Sequence, residues 1–105
     1  MRKASIDNAP IVNPRPDIIS DEFVALMKDA GVVEAFLFGS ISRREEGPAS
    51  DIDVLVRFGH DVRLGEQLNL MVKLSRLTGR QVDLLTDVDP IFEPYIMPTL
   101  VPIPL

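Results

Sequence analysis

Hydrophobic and polar positions change period several times along the chain, and each change predicts a separate element. Ser20 opens the first. It is a good helix N-cap, and Asp21 and Glu22 suit the positive end of a helix dipole. Phe23, Met27 and Ala30 follow at helical spacing, with Leu26 beside them, and Gly31 supplies the stop. Val32 to Phe38 reads VVEAFLF, rich in β-branched and aromatic residues, and predicts a buried strand that runs into Gly39-Ser40. Ile41 to Glu46 has room for one or two helical turns before Gly47-Pro48 makes a loop. Asp51 to Phe58 alternates: Ile52, Val54, Val56 and Phe58 share one face, and Asp51 and Asp53 the other. Leu64 to Thr78 predicts the longest helix, with Leu64, Leu68, Leu70, Met71, Leu74 and Leu77 as a broad core-facing stripe. Gly79 ends it, and Gln81 to Thr86 predicts a third strand with Asp83 in its middle. The order α-β-α-β-α-β implies a small α+β fold, a mixed sheet with helices packed on one side.

Proline content sharpens the boundaries. Eight of the nine prolines lie in the first 16 or last 16 of the 105 residues, and only Pro48 lies between. Proline breaks helix interiors and central strands. Regular structure is therefore expected mainly in residues 17 to 89. Residues 1–17 read as an extended, frayed arm ahead of a single domain spanning 18–105. In the Pro-rich segment 90–105, a short helical turn is expected near Glu93 to Ile96. Val101 to Leu105 is apolar and extended, too hydrophobic for an idle tail, and is expected to pack on the domain or join a partner interface.

Composition removes several chemistries. The chain has no Cys and one His, His60, so it offers no disulfide framework, no thiolate metal site, no multi-histidine zinc site and no Cys-His pair. Arg57 is expected to pair with a nearby carboxylate, and His60 to be a surface loop residue. No apolar run is long enough for a membrane span, and the N-terminal residues lack a signal-like apolar core. A soluble cytoplasmic protein is the expectation. Eleven Lys and Arg against sixteen Asp and Glu leave a formal charge of -5, which argues against broad phosphate-backbone binding. A local basic site remains compatible with that balance.

One stretch, Gly39-Ser40 through Asp51-Ile52-Asp53, concentrates candidate chemistry. Asp51 and Asp53 are two apart on a strand, so both carboxylates lie on one face. Such a pair favours a cation between them, and Mg²⁺ with its preference for oxygen ligands and substrate phosphates fits best. Glycine lets the backbone approach a ligand at Gly39, Ser40 adds a hydroxyl donor, and N–H groups at a helix start attract phosphate. Arg43, and less strongly Arg44, lie within reach of phosphate oxygens. Asp83 adds a third carboxylate if its strand neighbours that of Asp53. That set suits in-line attack of a hydroxyl on an α-phosphate, with Asp83 as metal ligand or base.

With ten residues between Gly39-Ser40 and Asp51-Ile52-Asp53, the chain resembles the nucleotidyltransferase superfamily that includes DNA polymerase beta. It is most similar to the minimal nucleotidyltransferases of prokaryotes. Arg43, Pro48, Ser50 and Val82-Asp83-Leu84 match positions common in that group, and the resemblance covers roughly residues 20 to 89. It implies Asp51, Asp53 and Asp83 as metal ligands for two Mg²⁺ ions, and Gly39 and Ser40 as binders of the triphosphate of ATP. It also implies a partner: members often act as antitoxins for an all-helical HEPN toxin, some by transferring AMP to a tyrosine of it. Two departures stand out. Arg44 occupies a position where the family commonly has Gly, and Ile41-Ser42 replaces a small or basic pair. Two rival readings are an antitoxin that masks its partner by binding alone, and a regulatory nucleotide binder that transfers nothing.

Overall fold

The computed structural model describes residues 12–105, so residues 1–11 of the expected arm lie outside the described residues. The elements run α1 (Asp21–Asp29), β1 (Val32–Phe38), α2 (Gly39–Arg43), β2 (Ile52–Phe58), α3 (Leu64–Thr78), β3 (Val82–Leu85), α4 (Glu93–Ile96) and β4 (Val101–Pro102). The Ser20 side chain accepts a bond from the Phe23 N–H and caps α1 as its type predicts. Gly79 caps α3 in a left-handed conformation.

The four strands form one mixed sheet in the order β3-β2-β1-β4. β1 pairs antiparallel with β2 and with β4, whereas β2 and β3 run parallel, joined by α3. The core lies between one sheet face and the helices. Phe23 and Met27 of α1 and Leu70 and Leu74 of α3 meet Leu37, Ile52, Val54 and Val82 of the strands, all buried. The small α+β sheet, with α1 and α3 on one face, is thus the fold that the residue pattern predicts.

Two expectations need correction. The apolar stripe of α3 is only partly core: Leu70 and Leu74 are buried, but Leu64 and Leu68 are 69% and 47% exposed, and Leu77 is also exposed. A helix lying on a single-layer core buries one narrow stripe, and at 100° per residue Leu68 falls nearly opposite Leu70. The second correction concerns the N-terminal segment. It is not frayed from residue 13 onward: Ile19 is fully buried, and the Arg15 side chain lies inside the protein. The C-terminal expectation holds. β4 adds an edge strand where Pro102 is tolerated, and Ile103 is buried, with its N–H bonded to the Ala35 carbonyl at 2.9 Å.

Candidate active site

The strand register brings the candidate residues into one row. Phe38, the last residue of β1, faces Asp53 on β2, and Asp53 faces Asp83 on β3. Neighbouring strands lie about 4.8 Å apart, so the two carboxylates stand side by side on the sheet face away from the helices. Asp51 precedes β2 by one residue and is exposed. Burial is the largest influence on Asp53, followed by the charges of Asp83 and Asp51, and together they raise its pKa above the usual aspartate value. Asp53 is the half-buried centre of a row of like charges.

Gly39 closes the row at the β1 end. Its φ is +73°, a left-handed conformation that favours glycine, and a Cβ built there would lie 2.8 Å from Asp53 Oδ2. A side chain there would have to displace the carboxylate and would also strain the left-handed backbone. The Gly39 N–H points toward Thr99 Oγ1 at 3.4 Å, and that hydroxyl donates to the Ile96 carbonyl at 2.7 Å. The segment after α4 therefore leans on the Gly-Ser turn. Thr99 has no signal in the sequence, because the contact spans sixty residues.

α2 is five residues long, and its N-cap residue Phe38 makes no side-chain cap bond. So short a helix has little macrodipole, and what it offers an anion is the local backbone of Gly39 and Ser40. It ends at Arg44, whose φ of 58° makes it the one left-handed non-glycine among the described residues. That conformation costs such a residue about 1–2 kcal/mol. It also suits glycine, and here the Arg44 guanidinium is tied to the Pro14 carbonyl at 2.9 Å.

The arginines divide. Arg43 is exposed and paired with Glu45, so a phosphate would compete with that carboxylate for it. Arg57 pairs across the strands with Glu34 at 2.8 Å, a surface ion pair of the expected kind. Arg80 donates to the Gly47 and Ser50 carbonyls at 3.0 Å each and holds the loop that carries Pro48 toward the start of β2. Ser50 braces the same loop by accepting the Gly47 N–H at 2.8 Å.

Among the described residues, no three acidic or histidine side chains converge as a ready-made metal cage. The donor set nonetheless fits a hard divalent ion. Asp53 and Asp83 place carboxylate oxygens side by side, and no positive neighbour lowers the pKa of Asp53. Mg²⁺ usually takes one or two carboxylates and completes its shell with water and substrate phosphate. On the same face, one residue pair further along the strands, Phe36 and Leu55 floor a cleft of about 320 Å³, flanked by Val88 and Met97.

Comparison with known proteins agrees with this geometry. The family described as Polymerase beta, Nucleotidyltransferase matches residues 24–95. A candidate protein adenylyltransferase of Methanocaldococcus jannaschii, MJ0435, is 37% identical over 68 residues, covering 65% of this chain and 73% of that one. A solved structure of a candidate minimal nucleotidyltransferase superposes with a TM-score of 0.66 at 29% identity, over 81% of this chain and 87% of the other. A chain from a toxin–antitoxin crystal structure with AMP-PNP superposes with a TM-score of 0.57 at 27% identity, over 62% of this chain. The chain spans 54% of the length of that toxin–antitoxin chain.

Proposed function

The chain belongs to the polymerase beta nucleotidyltransferase family, and on that premise we propose that it transfers AMP from ATP to a hydroxyl of a protein partner, as the antitoxin of a HEPN-type toxin. The observation that carries the reading is the row Gly39–Asp53–Asp83, in which a glycine turn is pressed against the central carboxylate. The names of the relatives support protein adenylylation, and the solved toxin–antitoxin structure with AMP-PNP supports a toxin partner and an adenine nucleotide, while the HEPN type of that toxin rests on the family resemblance.

Asp51, Asp53 and Asp83 would hold Mg²⁺, which draws negative charge off the α-phosphate when bound. Gly39, by lacking a side chain, would let the β- and γ-phosphates approach the turn, the Ser40 N–H and hydroxyl would receive them, and Arg43 would leave Glu45 to add a cation. The acceptor oxygen bonds to the α-phosphorus, the bond from that phosphorus to the bridging oxygen breaks, and pyrophosphate leaves. Asp83, at the far end of the row from Gly39, takes the proton of the acceptor hydroxyl or shares the ion. The cleft beside the row, floored by Phe36 and Leu55 and rimmed by charged residues such as Glu34, Arg57 and Asp87, would give the uncharged part of a substrate an apolar floor.

The test is transfer from α-labelled ATP to the partner toxin in the presence of Mg²⁺. Label must appear on the toxin with the wild-type chain and disappear with Asp53→Asn. Equal labelling by both would refute the mechanism. Neutralisation of the toxin by a chain lacking Asp51 and Asp53 would favour masking by binding alone.

A further inference from the structure

The most completely satisfied polar group among the described residues lies outside the carboxylate row and outside the residues that the family matches. Arg15 is 6% exposed, and its guanidinium uses all five N–H donors. Nε and Nη2 grip the Asp17 carboxylate at 3.0 and 2.7 Å. Nη1 and Nη2 grip the Glu46 carboxylate at 3.0 and 2.8 Å. The remaining Nη1 donor reaches the Ile41 carbonyl in α2 at 3.1 Å. Two bidentate pairs and a backbone bond converge on one planar group, a geometry that lysine cannot reproduce.

The segment carrying Arg15 is itself well ordered. Asn13 accepts the Arg15 N–H at 3.0 Å and donates to the Ile19 carbonyl at 2.7 Å, and Ile18 and Ile19 both bond back to the Arg15 carbonyl. Pro14, beside it, accepts the Arg44 side chain. The turn 13–19 thus touches α2 and its exit at three points: Ile41, Arg44 and Glu46. Elsewhere α2 is held mainly by Ile41, which is fully buried in the core. It is a single short turn with no side-chain N-cap bond, and its exit residue is in a left-handed conformation.

We propose that Arg15 is a positioning residue for the triphosphate cradle: its guanidinium, locked between the 13–19 turn and α2, fixes the exit of α2 and so holds the Gly39–Ser40 backbone against the carboxylate row. The proposal rests on the reading of Gly39–Ser40 as the triphosphate binder. Arg15 touches no substrate. It acts through Ile41 and Glu46, one and six residues beyond Ser40 in the chain. Small displacements of a cradle weaken binding out of proportion to their size, because every phosphate contact is made in one fixed geometry.

The test compares Arg15→Gln and Arg15→Lys with Leu70→Ala, a core truncation on α3 remote from α2. Each is measured in the full chain at a temperature where it is folded. ATP affinity with Mg²⁺ is read by calorimetry, and the backbone amides of residues 40–45 by hydrogen exchange without nucleotide. The expected result is an affinity about tenfold weaker for Arg15→Gln, with Arg15→Lys only partly restored, and less than about a twofold change for Leu70→Ala despite its lower melting temperature. Exchange at 40–45 should quicken in the Arg15 variants alone. Wild-type affinity in Arg15→Gln, or an equal loss in Leu70→Ala, overturns the proposal. If Arg15→Gln does not fold, Arg15→Lys is judged by the same criteria. A wild-type chain that binds no ATP overturns the function reading instead, and exchange at 40–45 then decides whether Arg15 holds α2: unchanged rates in the variants defeat it.

Discussion

On β2, Ile52, Val54 and Val56 turn toward the helices and are buried, while Asp53, Leu55 and Arg57 turn away and keep contact with solvent. The same alternation separates Val82 and Leu84 from Asp83 on β3. One strand therefore serves two environments, a dry layer that holds the sheet to α1 and α3 and an open face that carries the carboxylates. The difference teaches that stability and chemistry are separable here by a single step along the chain. Side-chain direction has a period of two in a strand, so neighbours in sequence report on opposite sides of the sheet.

Substitutions on the two faces should break different properties, and the largest expected effect is on the open face. Asp53→Asn keeps the shape of the side chain and removes the charge at the centre of the row. Transfer is expected to fall by about a hundredfold to a thousandfold or more, with the melting temperature unchanged or higher, since a half-buried like-charge cluster is relieved. A large loss of melting temperature would show that the row is structural. On the covered face, Leu37→Ala should act the other way. Leu37 is fully buried, and truncating such a side chain costs about 2–5 kcal/mol of folding stability by denaturant titration. Transfer per folded molecule should survive, and its disappearance would erase the distinction between the faces.

Gly39→Ala probes the junction between them. The new methyl meets Asp53 Oδ2 in a left-handed backbone, so a stability cost of about 1–2 kcal/mol is expected together with a loss of ATP affinity. A variant that binds ATP like wild type would show that the glycine is required by the turn alone.

The smallest effect is on the pH range of stability. Hydrogen bonds from Arg15 hold the Asp17 and Glu46 carboxyls below their ordinary values of 3.8 and 4.5. A depressed folded pKa contributes stability above the unfolded value that is lost as pH falls through the folded one, so melting temperature should drop below about pH 4.5. His60 has the opposite sign. Its ring nitrogens face the Asp61 and Ala30 carbonyls at 2.8 and 3.2 Å, contacts that raise its pKa above the ordinary 6.5 because only the charged ring donates from both. Its contribution is present below pH 6.5 and is lost as pH rises through the folded pKa. Glu46→Gln should flatten the acid limb and His60→Asn the limb above pH 6.5. A wild-type profile without either limb would contradict both assignments.

Much of this architecture is legible in local pattern. Ser20, Gly31 and Gly79 mark helix ends, and alternation from Ile52 to Phe58 assigns Asp53 and Val54 to opposite faces without any knowledge of the fold. The spacing of Gly39-Ser40 from Asp51 and Asp53 nominated the chemistry, because a strand and a turn impose their own directions on side chains. Other features were not legible. The α3 stripe looked wider than it is, since periodicity states which residues share a helix face but not how much of that face a thin core covers. The N-terminal segment looks idle because its buried charged side chain, Arg15, stands between two prolines, a composition typical of exposed chain.

Local sequence alone determined the strands and helices, their alternating faces, and the residue types gathered around the Gly-Ser turn. Those depend on backbone periods and on the steric needs of single residues. Only the tertiary structure decided that Asp53 and Asp83 share a register, that Gly39 lies against Asp53, that Thr99 leans on the turn, and that Arg15 locks to Ile41 and Glu46. Each of these joins segments far apart in the chain, and such pairings are settled by how the sheet and helices bury their apolar faces together, an outcome that no short window of residues contains.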